Sequence, residues 1–222
     1  MSEFVFKLED NYRHKGLRNK LVEIIREKGI TDENVLDAIS KLPRHYFFDS
    51  AFMEQAYEDK AFQIGEGQTI SQPYTVAYQS QLLEVKPREK ILEVGTGSGY
   101  QACILSMLGA KVFTIERHKK LNERAKALLE AMHIPNIKFF YGDGFEGLPS
   151  FAPFDKVLIT AAAPEVPAKL LAQLKAGGKL VMPYGKGDVQ KMQRITKVDD
   201  NHFEQEEFEN FKFVPMLKGK VW

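Results

Sequence analysis

A single cysteine, Cys103, stands in the chain, which excludes an intramolecular disulfide and, with it, a disulfide-stapled secreted fold. No run approaches the roughly eighteen consecutive apolar residues of a membrane-spanning helix, and the opening MSEFVFKLEDNYRHKG lacks the unbroken apolar stretch of a signal peptide. An excess of one charge is missing too. Thirty-one basic against thirty acidic residues leave a formal charge of +1, so the chain has no electrostatic footprint for nucleic acid or an anionic membrane. There is no internal repeat and no low-complexity tract, and the five scattered histidines never fall at metal-ligand spacing, so no metal is expected. What remains is an ordinary soluble composition of 44% hydrophobic residues over 222 positions, enough for one domain with a sizeable core. A reduced, cytoplasmic monomer is the expectation.

Organisation follows from periodicity. Leu17, Leu21, Ile24 and Ile25 share a helical face, and Gly29 stands where a C-cap belongs, which predicts a helix over 14–28. Thr31 is placed to cap a second helix with Val35, Leu36, Ile39 and Leu42 inward, closed by Pro43. The aromatic-rich stretch 44–63 reads as short helical turns, GEGQTISQP (65–73) as a loop, and Pro73 as the first residue of a helix to about Leu83. From Lys90 short β-runs at 90–95, 111–116, 137–143, 156–160 and 179–185 alternate with helical stretches at 99–109, 118–132 and 165–175. That alternation predicts βαβ units and a doubly wound, mostly parallel sheet covered on both faces. Residues 190–198 and 203–214 alternate as antiparallel strands, the second carrying acids that suit a solvated edge. The chain thus divides into a helical segment (1–85), an α/β core (86–187) and C-terminal strands (188–222).

The strongest chemical signal is the run Ile91 to Gly99, a buried strand that enters a glycine turn and leaves as a helix. Bare backbone at the carboxyl end of such a strand admits a nucleotide-shaped ligand. Gly97 to Ala102 formally matches the G-x-G-x-x-G/A dinucleotide pattern, but two residues late, which disfavours NAD. Glu116, twenty-one residues after Gly95, stands where an acid accepts from ribose hydroxyls, and this serves NAD and S-adenosylmethionine alike. Asp143, closing the third strand, is placed for an exocyclic adenine amine, and Glu93 for the amino group of a methionine moiety. Three strand-end acids suit a cationic sulfonium cofactor and repel a pyrophosphate.

These residues carry a resemblance. LEVGTGSGYQA (92–102) resembles the first motif of class I S-adenosylmethionine-dependent methyltransferases. GEGQTISQPYTVA (65–77) and LPRHYF (42–47) resemble one branch, the protein-L-isoaspartate O-methyltransferases, and the likeness runs on through YGDGFEGLP (141–149), 154–185 and FKFVPM (211–216). It implies a Rossmann-like class I methyltransferase sheet, S-adenosyl-L-methionine as cofactor with S-adenosyl-L-homocysteine as product, and isoaspartyl proteins as substrate, with no nucleic-acid or membrane partner. Ser71 takes the active-site role, and Thr69, Ser71 and Val214 meet the substrate. Gln68, Thr69 and Ile70 contact the cofactor together with Glu93, Gly95, Gly97, Gly99, Glu116, Arg117, Asp143 and Gly144. Lys60, Phe62 and Met216 depart from the residues usual in that family and bear on the shape of the substrate groove.

The chemistry agrees with the residue types. An isoaspartyl linkage leaves its α-carboxylate free, with a pKa of roughly 3.5, so the nucleophile is ionised at neutral pH and needs orientation rather than a base. Ser71 can donate to one carboxylate oxygen; the competing reading is an N-cap serine. His14 and His45 read as packing residues, His118 and His133 as solvent-facing, and Cys103 as a core residue. The rivals are another class I methyltransferase acting on a small molecule or RNA, an NAD-dependent oxidoreductase, and a catalytically silent module that captures a peptide.

Overall fold

A computed structural model describes residues 4 and 6–222. Helix α1 (Tyr12–Glu27) starts from a capping box: the Asn11 side chain accepts from the His14 N–H, and the His14 ring takes the Asn11 N–H in return. Helix α2 (Glu33–Lys41) is capped by Asp32, one residue after the expected Thr31, because the Asp32 carboxylate reaches the amides of Asn34 and Val35. Thr31 and Asp32 instead donate their N–H groups to the Gln81 side-chain oxygen at 2.8 and 2.9 Å, tying α2 to the body behind it. Two 3-10 stretches, Arg44–Phe47 and Ser50–Tyr57, follow as the irregular aromatic pattern predicts.

The segment expected to be a loop is in fact a hairpin. Strands β1 (Phe62–Gly65) and β2 (Gln68–Ile70) pair antiparallel around Gly65, Glu66 and Gly67, all at positive φ. Strands of three or four residues are too short to show an alternation. Helix α3 (Pro73–Leu83) begins at Pro73, as expected.

The body is built from β3 (Lys90–Val94), α4 (Tyr100–Met107), β4 (Lys111–Glu116), α5 (Lys119–Ala131), β5 (Ile137–Tyr141), β6 (Phe154–Ile159), α6 (Ala168–Ala172), β7 (Leu174–Tyr184), β8 (Gln190–Lys197) and β9 (Phe203–Phe211). The sheet order is β5-β4-β3-β6-β7-β8-β9, parallel up to β7 and antiparallel beyond. Between β3 and β6 the winding reverses, which opens a crevice at the carboxyl ends of these strands. Two expected elements come out shorter. Pro164 and Pro167 delay α6, and β7 starts at Leu174 by pairing with Phe154. Strand β9 stops at Phe211, after which the Phe213 N–H turns to the Gln190 side chain.

Both sheet faces are covered. Ile91 packs with the N-terminal helices and α4, whereas Leu92 and Val94 pack with Phe113, Val157 and Leu180 on the opposite face. The N-terminal segment is held by Arg18, which donates to both oxygens of Asp10 at 3.1 and 2.9 Å and to the Tyr57 hydroxyl at 3.1 Å. His45 is buried beside it, Nδ1 at 2.6 Å from the Tyr57 hydroxyl and Nε2 at 3.0 Å from the Glu9 carbonyl, the packing role expected of it. Cys103 is a buried free thiol. The acids Glu204, Glu206, Glu207 and Glu209 lie exposed on the edge strand. Among the described residues no helix is long and apolar enough to cross a membrane.

Leu92 is fully buried in the central strand, and Val198 is 43% exposed at the far edge. Leu92→Ala is expected to cost about 2–5 kcal/mol and Val198→Ala within about 0.5 kcal/mol, read by urea denaturation. Similar losses at the two positions would contradict this placement of the core.

Candidate active site

The site starts at the turn leaving β3. Gly95 has φ of 98°, and a Cβ there would stand 2.4 Å from the Thr160 hydroxyl, so both backbone and space require glycine. Thr160, at the end of β6, places its hydroxyl 2.7 Å from the Gly95 carbonyl. The carboxylate of Glu116, 5% exposed at the end of β4, accepts from the Gly97 N–H through Oε2 and from the His118 N–H through Oε1, both at 2.9 Å. Thr96 and Thr114 join the same two elements through hydroxyls 2.6 Å apart. Three strand ends are thereby locked to one another.

The locked ends form the floor of a cavity. Gly95, Gly97, Glu116 and Gly144 line it from the sheet side, and Gln68, Thr69, Ile70 and Ser71 from the hairpin and the residue after it. Val214 and Arg117 also reach it. A Cβ on Gly144 would meet Val94 Cγ1 at 2.4 Å, so bulk there is forbidden as well. A second, open groove runs outward past Tyr74, Glu209 and Lys212 and shares Thr69, Ser71, Thr160 and Val214 with the cavity. Ser71 therefore stands at the junction.

The Ser71 hydroxyl has no hydrogen-bond partner among the described residues, and it is not a helix cap: Gln72 occupies the N-cap position of α3 without a side-chain cap bond. Capping is done from fifteen residues upstream by Asp59. Its Oδ1 accepts from the Tyr74 N–H at 2.8 Å, and its Oδ2 accepts from the Gln72 amide at 2.9 Å and the Lys28 ammonium at 2.6 Å. Arg44 grips the same loop from the other side, donating to the Ser71 carbonyl at 2.9 Å. Sequence reasoning missed both residues, since neither lies within reach of a local pattern.

Other expected residues stand elsewhere. Glu93 does not line the cavity: alternation along β3 sends Val94 to it and turns Glu93 to the opposite face, fully buried, with both oxygens lacking a partner. Burial, helped by the negative charge of Glu116, pushes its carboxyl up to about 8. Gly99 is also set back, serving as the buried N-cap of α4 against Ala125 and Leu129. Asp143 accepts from the Phe145 N–H at 2.9 Å and the Gly219 N–H at 2.7 Å, so its carboxylate anchors the C-terminal segment, and Gly144 is the one that reaches the cavity. Arg117 lines the cavity, but its guanidinium is turned to the carbonyls of Gly219 and Lys218 at 3.2 and 3.3 Å. The tail is further fixed by Met216 N–H on the Ala162 carbonyl and Val221 N–H on the Arg117 carbonyl. His118, expected in solvent, is 7% exposed, with Nδ1 lying 4.0 Å from Glu66 of the hairpin turn.

Asp10, His14 and His45 bring ligand atoms within 4.8 Å of one another, against the expectation from spacing. Arg18 is paired with both oxygens of Asp10, and both ring nitrogens of His45 are engaged, so a cation would have to displace partners the cluster already holds.

The cavity discriminates between ligands. A pyrophosphate needs free amides at the glycine turn. Here the Gly95 N–H goes to the Ile115 carbonyl, Gly97 to Glu116, Gly99 to the Thr96 carbonyl and Tyr100 to the Ser98 hydroxyl. The amides of the three glycines are thus engaged, and the buried Glu116 carboxylate has lone pairs left for a diol, so the residues fit a nucleoside such as that of S-adenosylmethionine. Sheet order, glycine turn and strand-end acid together define a class I S-adenosylmethionine-dependent methyltransferase fold.

Within that class the chain belongs to the protein-L-isoaspartate(D-aspartate) O-methyltransferase family, whose model matches residues 16–221. A protein-L-isoaspartate O-methyltransferase of Cytophaga hutchinsonii is 56% identical over 215 residues, 97% of each chain. That of Flavobacterium johnsoniae is 55% identical over 213 residues, 96% of this chain and 100% of its own. A solved protein-L-isoaspartate O-methyltransferase superposes with a TM-score of 0.80 at 29% identity, covering 89% of this chain and 65% of the other. A Plasmodium falciparum beta-aspartate methyltransferase in complex with S-adenosyl-L-homocysteine gives 0.78 at 26% identity, covering 95% of this chain and 100% of its own.

The shift at Glu93 has a signed consequence. The folded chain holds a proton that the unfolded chain releases above about 4.5, so the stability it lends is whole below that pH and lost as pH rises to about 8. Glu93→Gln removes this dependence. Its melting temperature is expected to gain on the parent by about ten degrees between pH 5 and 8, with no further gain above, read by calorimetric scans. A difference constant across that range would show that Glu93 titrates normally.

Proposed function

We propose that the chain transfers the methyl group of S-adenosylmethionine to the free α-carboxylate of L-isoaspartyl residues in damaged proteins. One observation carries this reading: the Ser71 hydroxyl, without a hydrogen-bond partner among the described residues, stands where the cavity at the strand ends meets the groove that runs out past Tyr74 and Lys212. Gly95, Gly97, Glu116 and Gly144 hold the cofactor from the sheet side, with Gln68, Thr69 and Ile70 above it. Thr69, Ser71 and Val214 face the acceptor. The bound cofactor supplies an electrophilic methyl carried on a sulfonium centre.

What the protein adds is position. The acceptor carboxylate is ionised well below neutral pH, and no histidine lines either the cavity or the groove, in keeping with a transfer that needs no base. Ser71 donates to one carboxylate oxygen and leaves the other aimed at the methyl, while Ile70, Val76 and Met216 exclude the water that would screen the two charges. The methyl ester is a better acyl donor than the carboxylate, so the neighbouring backbone amide nitrogen attacks its carbonyl and expels methanol, and the succinimide formed adds water and reopens in part to normal aspartate. That sequence is the repair. Asp143 and Glu93 act from behind the wall, through the Gly219 anchor and the buried face of β3. The helical segment up to residue 85 is read as a cap over the α/β core. The reading is of a cytoplasmic, monomeric enzyme that acts on proteins rather than nucleic acid.

The test is transfer of labelled methyl to two peptides that differ only in isoaspartate against aspartate. Base-labile label on the isoaspartyl peptide alone is expected, and Ser71→Ala should lower kcat/KM about 10- to 100-fold, the worth of one hydrogen bond to a charged group. Label on both peptides, or on neither while S-adenosylhomocysteine still binds, would overturn the reading.

A further inference from the structure

Behind the cavity wall lies a charge that the methyl transfer described above does not use. Arg44 is 0% exposed, the largest of the fully buried side chains. Its Nε donates to the Ala56 carbonyl at 3.0 Å and one terminal nitrogen donates to the Ser71 carbonyl at 2.9 Å, while the other terminal nitrogen has no partner. The guanidinium carbon stacks 4.7 Å from the Tyr100 ring and 5.4 Å from the Phe48 ring. Among the described residues no carboxylate is in direct ion-pair contact with it; carbonyls and ring faces surround the cation, and the nearest opposing charge that acts on it is Asp59, which holds the same loop. Burial lowers its pKa to about 10, which leaves it charged at neutral pH.

An unpaired buried charge costs several kcal/mol, and a methionine or leucine would fill the same volume more cheaply. Space filling therefore does not account for it. Two of its contacts, Ser71 and Tyr100, line the cavity. The bond to the Ser71 carbonyl fixes the 71–72 peptide plane, and Asp59 fixes Gln72 and Tyr74 just beyond it. With the peptide plane held on one side and the helix start on the other, the Cα–Cβ direction of Ser71 is no longer free. A hydroxyl with no protein partner of its own needs such an external hold to keep its aim.

We propose that Arg44 is a positioning residue for methyl transfer, holding the Ser71 peptide from behind so that the serine hydroxyl meets the acceptor carboxylate in one orientation. This rests on the reading of Ser71 as the group that orients the acceptor. A guanidinium fork makes two bonds in one plane, to Ala56 and Ser71, which the single point of an ammonium does not reproduce.

The experiment is a double-mutant cycle on the full chain with Arg44→Lys, Ser71→Ala and the pair, assayed with an isoaspartyl peptide alongside calorimetry with S-adenosylhomocysteine. Arg44→Gln, which keeps a donor and drops the charge, takes the place of the lysine variant should that one not fold. Expected for the Arg44 variant is a kcat at least about ten-fold lower, with peptide KM and S-adenosylhomocysteine affinity within about two-fold of the parent. Placed on Ser71→Ala, the same change should cost about two-fold or less, because the group it aims has gone. A multiplicative loss in the pair, an unchanged kcat, or a cofactor affinity that falls in step with kcat would overturn the proposal. Ser71→Ala at parental rate would instead overturn the reading of Ser71 itself, and the two failures are told apart by that single variant.

Discussion

The site depends on one carboxylate held by two backbone amides. Glu116 accepts from Gly97 on the turn after β3 and from His118 on the entry to α5, and both bonds are 2.9 Å long in a nearly water-free setting. Charge-assisted bonds of this kind are the strong ones, and in a low-dielectric site they also fix direction. Without them the turn, whose three glycines sit at positive φ, has no partner on β4 among the described residues beyond the Thr96 and Thr114 hydroxyls and the Gly95–Ile115 bond. The same carboxylate takes up the Gly97 N–H, one of the donors an anion at the turn would use. One interaction therefore ties together the floor of the cavity.

Above that floor stands the Ser71 hydroxyl, which has no hydrogen-bond partner among the described residues. The loop at Ser71 is too short to be rigid on its own. It is clamped by Asp59 at the start of α3 and by Arg44 from beneath, residues that come from the segment between α2 and β1. That segment is itself anchored through Arg18, Asp10, Tyr57 and His45. The N-terminal helices thus act as scaffolding for one short loop, which explains why so much buried polar chemistry is spent away from the cavity. Methyl transfer to a carboxylate that is already ionised asks for this kind of rigidity and for little else.

The parts of this that could be read from sequence are those carried by local periodicity. Gly95, Gly97 and Glu116 were legible because a strand, a turn and the next strand repeat in fixed register, and Pro73 because proline has a preferred place at a helix start. Short hairpin strands carry too few residues to show an alternation, so β1 and β2 were hidden. Glu93 was misplaced by one step of the strand period, which separates a cavity wall from a buried face. Arg117 and Asp143 looked like ligand residues because nothing in the sequence says that the C-terminal tail returns to sit on both of them. Asp59 and Arg44 act across fifteen and twenty-seven residues, beyond any local rule.

The most direct test of the central claim is the affinity of Glu116→Gln for S-adenosylhomocysteine, measured by calorimetry next to the parent. The glutamine side chain keeps one acceptor oxygen and sets an N–H group against the Gly97 or His118 amide, donor against donor. The account predicts affinity weaker by at least about ten-fold, or roughly 1.4 kcal/mol. Affinity within two-fold of the parent, in a variant that melts as the parent does, would mean that neither the turn nor the ribose subsite depends on this carboxylate.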